Sequence, residues 1–501
     1  VPTETTADVD RCLLIGTDGL EPPAELRDWL AEGLGGVILF ARNIADPAQL
    51  RRFTDGIRSA AAAAGGDGVL VALDEEGGDV TRLHAADGSP NPGNMALGIA
   101  ADPATTRKIA AGIGAELRAT GVNLNLAPDA DVHTNPDNPV IGIRSFGADP
   151  ELVAEHVTAY LAGMRAAGVA GCAKHFPGHG DTNVDSHLAL PTVTGDIEPH
   201  LVPFRAAIAA GVPAILTAHI VYPALDGAPA TLSRPVLTGL LRERLGFDGV
   251  VITDSMTMKA IADGVGMAEG AVQALAAGAD LICMNSTYEE QRAVRDHLVR
   301  AVADGRLSAI RVAEAAGRVR ALTALAARWA AEVPVEAVPV ASGEVLAGAA
   351  RAAQLTRGLD GPLEAPFVLE LAAPRRGIEL TAGSLLAMLA TRDPRVTGAR
   401  LEDLTDDRPE TGDGPAAGGW RDLDAAVAGA DGRPLVVVIR DAHRDNRQRD
   451  ALLRVLDRRP DAVVVSIGTG DDVVLARGRF IATRGGGRVN LAAAADLLVA
   501  H

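Results

Sequence analysis

Between residue 12 and about residue 285, short apolar, β-branched runs alternate with Ala-rich stretches whose apolar positions recur at helical spacing. In order the runs are CLLIG (12–16), GVILF (36–40), VLVAL (69–73), VNLNLA (122–127), GCAKHF (171–176), AILTAH (214–219), GVVIT (249–253) and ADLICM (279–284). Strand and helix in strict alternation predict a parallel α/β architecture. Eight strands over about 270 residues match a (β/α)8 TIM-type barrel, whose chemistry sits at the strand carboxyl ends; a doubly wound open sheet is the alternative. Polar residues favour the barrel. Asp18, Asp74 and Glu75, Asp129 and Asp131, Lys174 and His175, His219, and Asp254 each fall at or just beyond the end of a run, as a ring around a barrel mouth would.

Residues 287–330 read as helices packed on the barrel, and EVPVEAVPVASG (332–343) has the composition of an extended linker. Beyond it PFVLELA (366–372), PLVVVIR (434–440) and AVVVSIGT (462–469) alternate with helical stretches, predicting a smaller α/β sandwich. The expected division is a barrel over 1–331, a linker over 332–348 and a second domain over 349–501. TGDGPAAGG (411–419) reads as a mobile loop, and no internal repeat relates the halves.

Composition agrees with two domains: 501 residues are too many for one ordinary core, and 48% are hydrophobic. A net charge of −18 disfavours nucleic acid and anionic membrane as partners and leaves a small molecule as the expected ligand. Cys12, Cys172 and Cys283 lie inside apolar runs and are expected to be buried free thiols. No 18-residue apolar stretch occurs, and the first ten residues lack signal-peptide character. A soluble cytoplasmic monomer is expected, with export by a leader absent from this sequence left open.

The densest polar cluster is KHFPGHGDTNVDSH (174–187), three His, two Asp and a Lys on a backbone made irregular by Pro177, Gly178 and Gly180. Three chemistries compete for it. A metal could use His175, His179, Asp181, His187 and His219, but HExxH spacing is lacking and Lys174 would repel a cation. A non-catalytic sugar-binding barrel is the second. Acid catalysis on a sugar is the third, and Asp254 at the end of the seventh run favours it. Glycoside cleavage needs one group to attack the anomeric carbon and another to protonate the leaving oxygen. Aromatic residues total only 3%, too few to line a long cleft, so a small polar pocket for one terminal sugar is expected.

The segments GVILFARN (36–43), LDEEGGDVTRL (73–83), NPDNPVIGIRSFG (135–147), KHFPGHGDTNVDSH and VITDSMTMKAI (251–261) together resemble family 3 glycoside hydrolases, specifically the NagZ-type β-N-acetylglucosaminidases. The likeness runs in order through about residues 12–330. It implies a retaining exo-acting enzyme that removes terminal GlcNAc from short glycans or muropeptides. By resemblance Asp254 is the nucleophile, His187 the acid/base and Asp185 the carboxylate that orients it. Imidazole titrates near neutrality, so it can give a proton and later take one from water. Resemblance also assigns sugar contacts to Asp74, Arg82, Arg144, Lys174 and His175.

No metal or organic cofactor is implied. Inorganic phosphate is a candidate co-substrate, because a carboxylate base would repel it by roughly 4 kcal/mol at about 4 Å whereas an imidazole would not. A β-N-acetylglucosaminide phosphorylase is therefore the main alternative, and a non-catalytic sugar-binding barrel the second. One position departs from the pattern: where the family usually has EGGRV, this chain has Asp79 in place of the Arg.

Overall fold

A computed structural model describes residues 4–63, 68–186, 188–334, 338, 340–372, 380–402 and 419–500. All eight runs form strands: β1 (Leu13–Gly16), β2 (Gly36–Ile38), β3 (Leu70–Leu73), β4 (Leu124–Asn125), β5 (Ala170–Phe176), β6 (Ala214–Thr217), β7 (Val250–Ile252) and β8 (Ile282–Met284). Their order, β7-β6-β5-β4-β3-β2-β1-β8, is that of a nearly closed parallel barrel. The open sheet is thereby excluded. β7 and β8 meet through the bridge of Ile252 to Leu281, with the Leu281 amide donating to the Val251 carbonyl at 3.1 Å and the Thr253 amide to the Leu281 carbonyl at 3.0 Å, and the Thr253 hydroxyl accepts from the Cys283 amide at 2.9 Å.

Alternation along each strand explains why the ring closes. Leu14, Ile38, Leu70, Ala72, Leu124, Ala170, Ala214, Leu216, Val250 and Ile252 form one cluster inside the barrel, many of them small enough to share a narrow interior. Their sequence neighbours, such as Leu13, Ile15, Val71, Leu73, Ile215 and Val251, pack outward against helices. The helix Ala309–Glu332 sends Val319, Leu322 and Ala326 into the inner cluster. The three cysteines are buried free thiols.

The second domain is a six-stranded sheet of order β11-β10-β12-β13-β14-β9, built from β9 (Leu355–Arg357), β10 (Phe367–Leu371), β11 (Thr397–Leu401), β12 (Leu435–Ile439), β13 (Val463–Ser466) and β14 (Phe480–Ala482). Only β9 runs antiparallel. Separate apolar clusters cover its two faces, the α/β sandwich expected. A helix, Gly343–Ala352, begins within the stretch read as linker, 332–348, and runs past its end. Residues 335–337 and 339 of that stretch, and 411–418 of the predicted loop, lie outside the described residues. Among the described residues no helix is long and apolar enough to cross a membrane.

Candidate active site

The carboxyl ends of β3, β4 and β5 bring together most of the charged residues singled out from sequence. Lys174, on β5, places Nζ 2.7 Å from Asp74 Oδ1 and 2.7 Å from Glu76 Oε1. Arg144 reaches Glu76 with Nη2 and Nε at 2.8 and 3.1 Å. Its Nη2 also lies 3.2 Å from His175 Nε2. Arg82 is 3.7 Å from Asp74 Oδ2. Each of the five predicted sugar contacts therefore belongs to one network. Within it Asp74 is the open member, 18% exposed against 3% for Lys174, so it can reach a ligand while the cations behind it cannot move away.

Charge compensation sets the protonation states. Burial alone would raise the Asp74 carboxyl, but Lys174 and Arg82 outweigh it and hold it below the usual range. Glu76 is likewise driven down against burial by Arg144 and Lys174. The two carboxylates in turn overcome burial to raise the Lys174 ammonium. The result is a fixed cation between two anions, whose oxygens and N–H groups can bridge neighbouring hydroxyls of a polyol.

His175 is fixed by its partners. Its Nδ1 lies 2.7 Å from Asp131 Oδ2, and an arginine can only donate, so Nε2 accepts from Arg144 and Nδ1 carries the ring proton. Asp131 Oδ1 also accepts from the main-chain N–H of His179 at 2.6 Å. Asp129, Asp131 and His175 could offer three ligand atoms to a cation. The Arg144 guanidinium already stands there, 3.8 Å from Asp129 Oδ2. Burial and the Asp131 charge push Asp129 up, whereas His175 holds Asp131 down against burial.

The loop after β5 is organised by His179. Thr182 Oγ1 donates to the His179 carbonyl at 3.0 Å, so His179 Nδ1 donates to that hydroxyl at 2.8 Å, and Nε2 accepts from Ser186 Oγ at 3.0 Å. Burial lowers this imidazole to about 4, consistent with a neutral strut. Ser186 is the middle of the DSH triplet. Asp185 is buried, and its carbonyl accepts from the Leu188 and Ala189 amides. His187 lies outside the described residues.

Asp254 follows β7 and is half-buried, its Oδ1 accepting from the Ser255 amide at 2.8 Å. His219, at the end of β6, donates from Nε2 to the Ser255 carbonyl at 3.0 Å and so ties two strand ends together beside Asp254. The Cys283 thiol is raised by burial and further by the charges of Asp254 and Asp74. Phe146, Phe176 and Tyr222 are core residues.

Sequence reasoning missed Glu76 and the bracing His179. The sugar contacts expected from the sequence set three cations, Arg82, Arg144 and Lys174, against one carboxylate, Asp74, and that imbalance is the available signal for a second anion. Nothing local separated His179 from the other histidines of its loop. Glu75, placed at the mouth, instead accepts the main-chain amides of Arg82 and Leu83 at 2.8 and 3.0 Å and is buried.

Residues 12–322 match the model of the glycosyl hydrolase family 3 N-terminal domain. A β-hexosaminidase A of Pseudoalteromonas piscicida is 39% identical over 285 residues, covering 52% of this chain and 48% of its own, so the match spans about half of that relative. A β-hexosaminidase of Thiobacillus denitrificans is 40% identical over 285 residues, covering 54% of this chain and 77% of its own. The structure of a family 3 β-N-acetylglucosaminidase from Paenibacillus sp. str. FPU-7 superposes with a TM-score of 0.86 at 33% identity, covering 100% of this chain and 98% of that one. With the barrel, the strand-end network and the motif-bearing loops in place, the chain belongs to the family 3 glycosyl hydrolases.

Proposed function

We propose that the protein is a retaining exo-β-N-acetylglucosaminidase acting on short glycans or muropeptides. The observation that carries this reading is the Lys174 ammonium held between Asp74 and Glu76 at the carboxyl ends of barrel strands, the same end of the barrel at which the half-buried Asp254 follows β7. Such a pocket suits one polyhydroxylated ring. The preference for GlcNAc is supported by the activities named for the relatives. In the proposed reaction Asp254 attacks C1 of the sugar while His187, oriented by Asp185, gives its proton to the leaving oxygen. Water then attacks C1 of the glycosyl ester, its proton passes to His187, and the Asp254 carboxylate leaves; two inversions give retention. Protein groups and water supply every step, so no cofactor enters.

Release of p-nitrophenol from p-nitrophenyl-GlcNAc tests the reading, with Asp254→Ala as control. Turnover by the parent and its loss in the variant, with GlcNAc still bound, is the expected result. Undiminished turnover by the variant removes Asp254 as nucleophile. Running the assay with phosphate distinguishes acceptors: GlcNAc as the main product supports hydrolysis, and accumulation of GlcNAc-1-phosphate replaces it with phosphorolysis.

A further inference from the structure

Asp79, the residue that departs from the family pattern, is nearly inaccessible to solvent and faces the second domain. Its Oδ2 contacts Arg440 Nη2, its Oδ1 accepts from the Gly486 amide at 2.7 Å, and its carbonyl accepts from the Thr381 amide at 2.7 Å. Three donors from another domain therefore converge on one residue of the barrel. Burial raises the carboxyl and Arg440 only partly offsets this. A buried pair of this kind is weak support for stability, and its better-attested use is to fix geometry.

What it fixes is set by the chain around it. Asp79 sits at the tip of a hairpin in which the Glu76 amide donates to the Val80 carbonyl at 3.0 Å, with Gly77 and Gly78 in the left-handed region at φ of 85° and 57°. Three residues before the tip is Glu76, which holds Lys174 and Arg144. Three residues after it is Arg82, beside Asp74.

The second domain also grips the other side of the Glu76–Arg144 pair. Arg444 donates to the carbonyl of Asn138, whose side chain caps the turn leading to Arg144 by accepting from the Val140 and Ile141 amides at 3.0 and 2.8 Å. Asp441, between the two arginines, has φ of 53° and is pinned by the Thr469 amide at 2.9 Å. Behind the pair lies a cavity of about 10 Å³ bordered by Glu76, Asp79, Asn94, Arg144 and, from the second domain, Arg484.

We propose that Arg440 is a positioning residue for the sugar pocket, acting through Asp79 to hold the hairpin that carries Glu76 and Arg82. The second domain is then part of the binding machinery although Arg440 touches no substrate. The inference rests on the reading of residues 74–82 as part of the sugar site.

The test is a double-mutant cycle in the full chain with Arg440→Met, Asp79→Asn and their combination, and with Arg440→Lys as the conservative variant. Coupling through a packed network of this kind is worth roughly 2- to 30-fold. Each single variant is expected to raise KM for p-nitrophenyl-GlcNAc within that range with kcat nearly unchanged. The double variant should be no worse than the poorer single, and Arg440→Lys should recover most of the loss. Factors that multiply across the cycle, or a lowered Tm with KM unchanged, overturn the proposal. Hydrogen exchange supplies a readout free of activity: faster exchange at the Glu76, Gly78, Arg82 and Leu83 amides in Arg440→Met is expected, and unchanged protection overturns the proposal. If the parent chain does not cleave the substrate, the functional reading fails and exchange alone decides the latch. If Arg440→Met does not fold, Asp79→Asn against the parent carries the KM and exchange comparison.

Discussion

Arg144 grips Glu76 through two N–H···O contacts, at 2.8 and 3.1 Å, with both side chains out of solvent. Removing the anion leaves the buried Arg144 with only the more distant Asp129, at 3.8 Å, and Lys174 with Asp74 alone. Glu76→Ala should therefore cost about 3–5 kcal/mol of folding stability by urea denaturation. Glu76→Gln keeps an acceptor and should cost less, while raising KM for the sugar.

The same network makes a pH prediction. Asp74 and Glu76 both titrate below their ordinary values of 3.8 and 4.5. The unfolded chain takes up these protons first, so the contribution is complete above about pH 4.5 and is lost as pH falls through the lower native values. Denaturation midpoints of the parent should decline more steeply than those of Glu76→Gln below pH 4.5. Parallel curves would count against the charge state assigned to Glu76.

His179 acts over a different window. Its imidazole is depressed from 6.5 to about 4, so the unfolded state binds a proton that the native state refuses. At about 1.4 kcal/mol per pKa unit, about 3 kcal/mol should be lost between pH 6.5 and 4. His179→Gln, which cannot titrate, should flatten that slope and reduce activity by releasing Ser186. A slope of unchanged steepness would show that other groups govern acid unfolding.

Gly180 has no room for a side chain, since a Cβ there would stand 1.8 Å from the Val132 carbonyl oxygen. Backbone cannot yield as a flexible side chain does. Gly180→Ala should destabilise the fold by roughly 1–3 kcal/mol and lower kcat, because it forces the β5 loop away from the β4 loop. Thermal unfolding and turnover of this variant check both effects.

Arg144 occupies the place where Asp129, Asp131 and His175 could gather around a cation. Dialysis against EDTA should leave turnover unchanged. A loss restored by added zinc would reassign those three residues as ligands.

Much of this was legible in the chain. The eight barrel strands are buried on both faces, so each stood out as an apolar run, and β10, β12 and β13 of the second domain did so for the same reason. β9, β11 and β14 did not. β9 and β11 are the edges of their sheet, and Leu355, Thr356 and Arg357 are all exposed, which leaves no hydrophobic pattern to read, while the buried β14 is only three residues long. At the site, the family resemblance picked out Asp74, Lys174 and Arg144, whereas the contact of Asp79 is with Arg440, 361 residues away in sequence. No local pattern encodes such a partner.

The seam between β7 and β8 has a consequence for how the barrel is inherited. Main-chain rungs form whatever side chains the strands carry, proline apart, and they join all eight neighbouring pairs, the Thr253 amide donating to the Leu281 carbonyl at 3.0 Å across the last. At the eighth, the bond to the Cys283 amide exists only while residue 253 bears a hydroxyl. One codon, adjacent to that of Asp254, thus specifies part of the closure of the ring, and a change as slight as Thr to Val would delete that bond while leaving the main-chain rungs beside it in place.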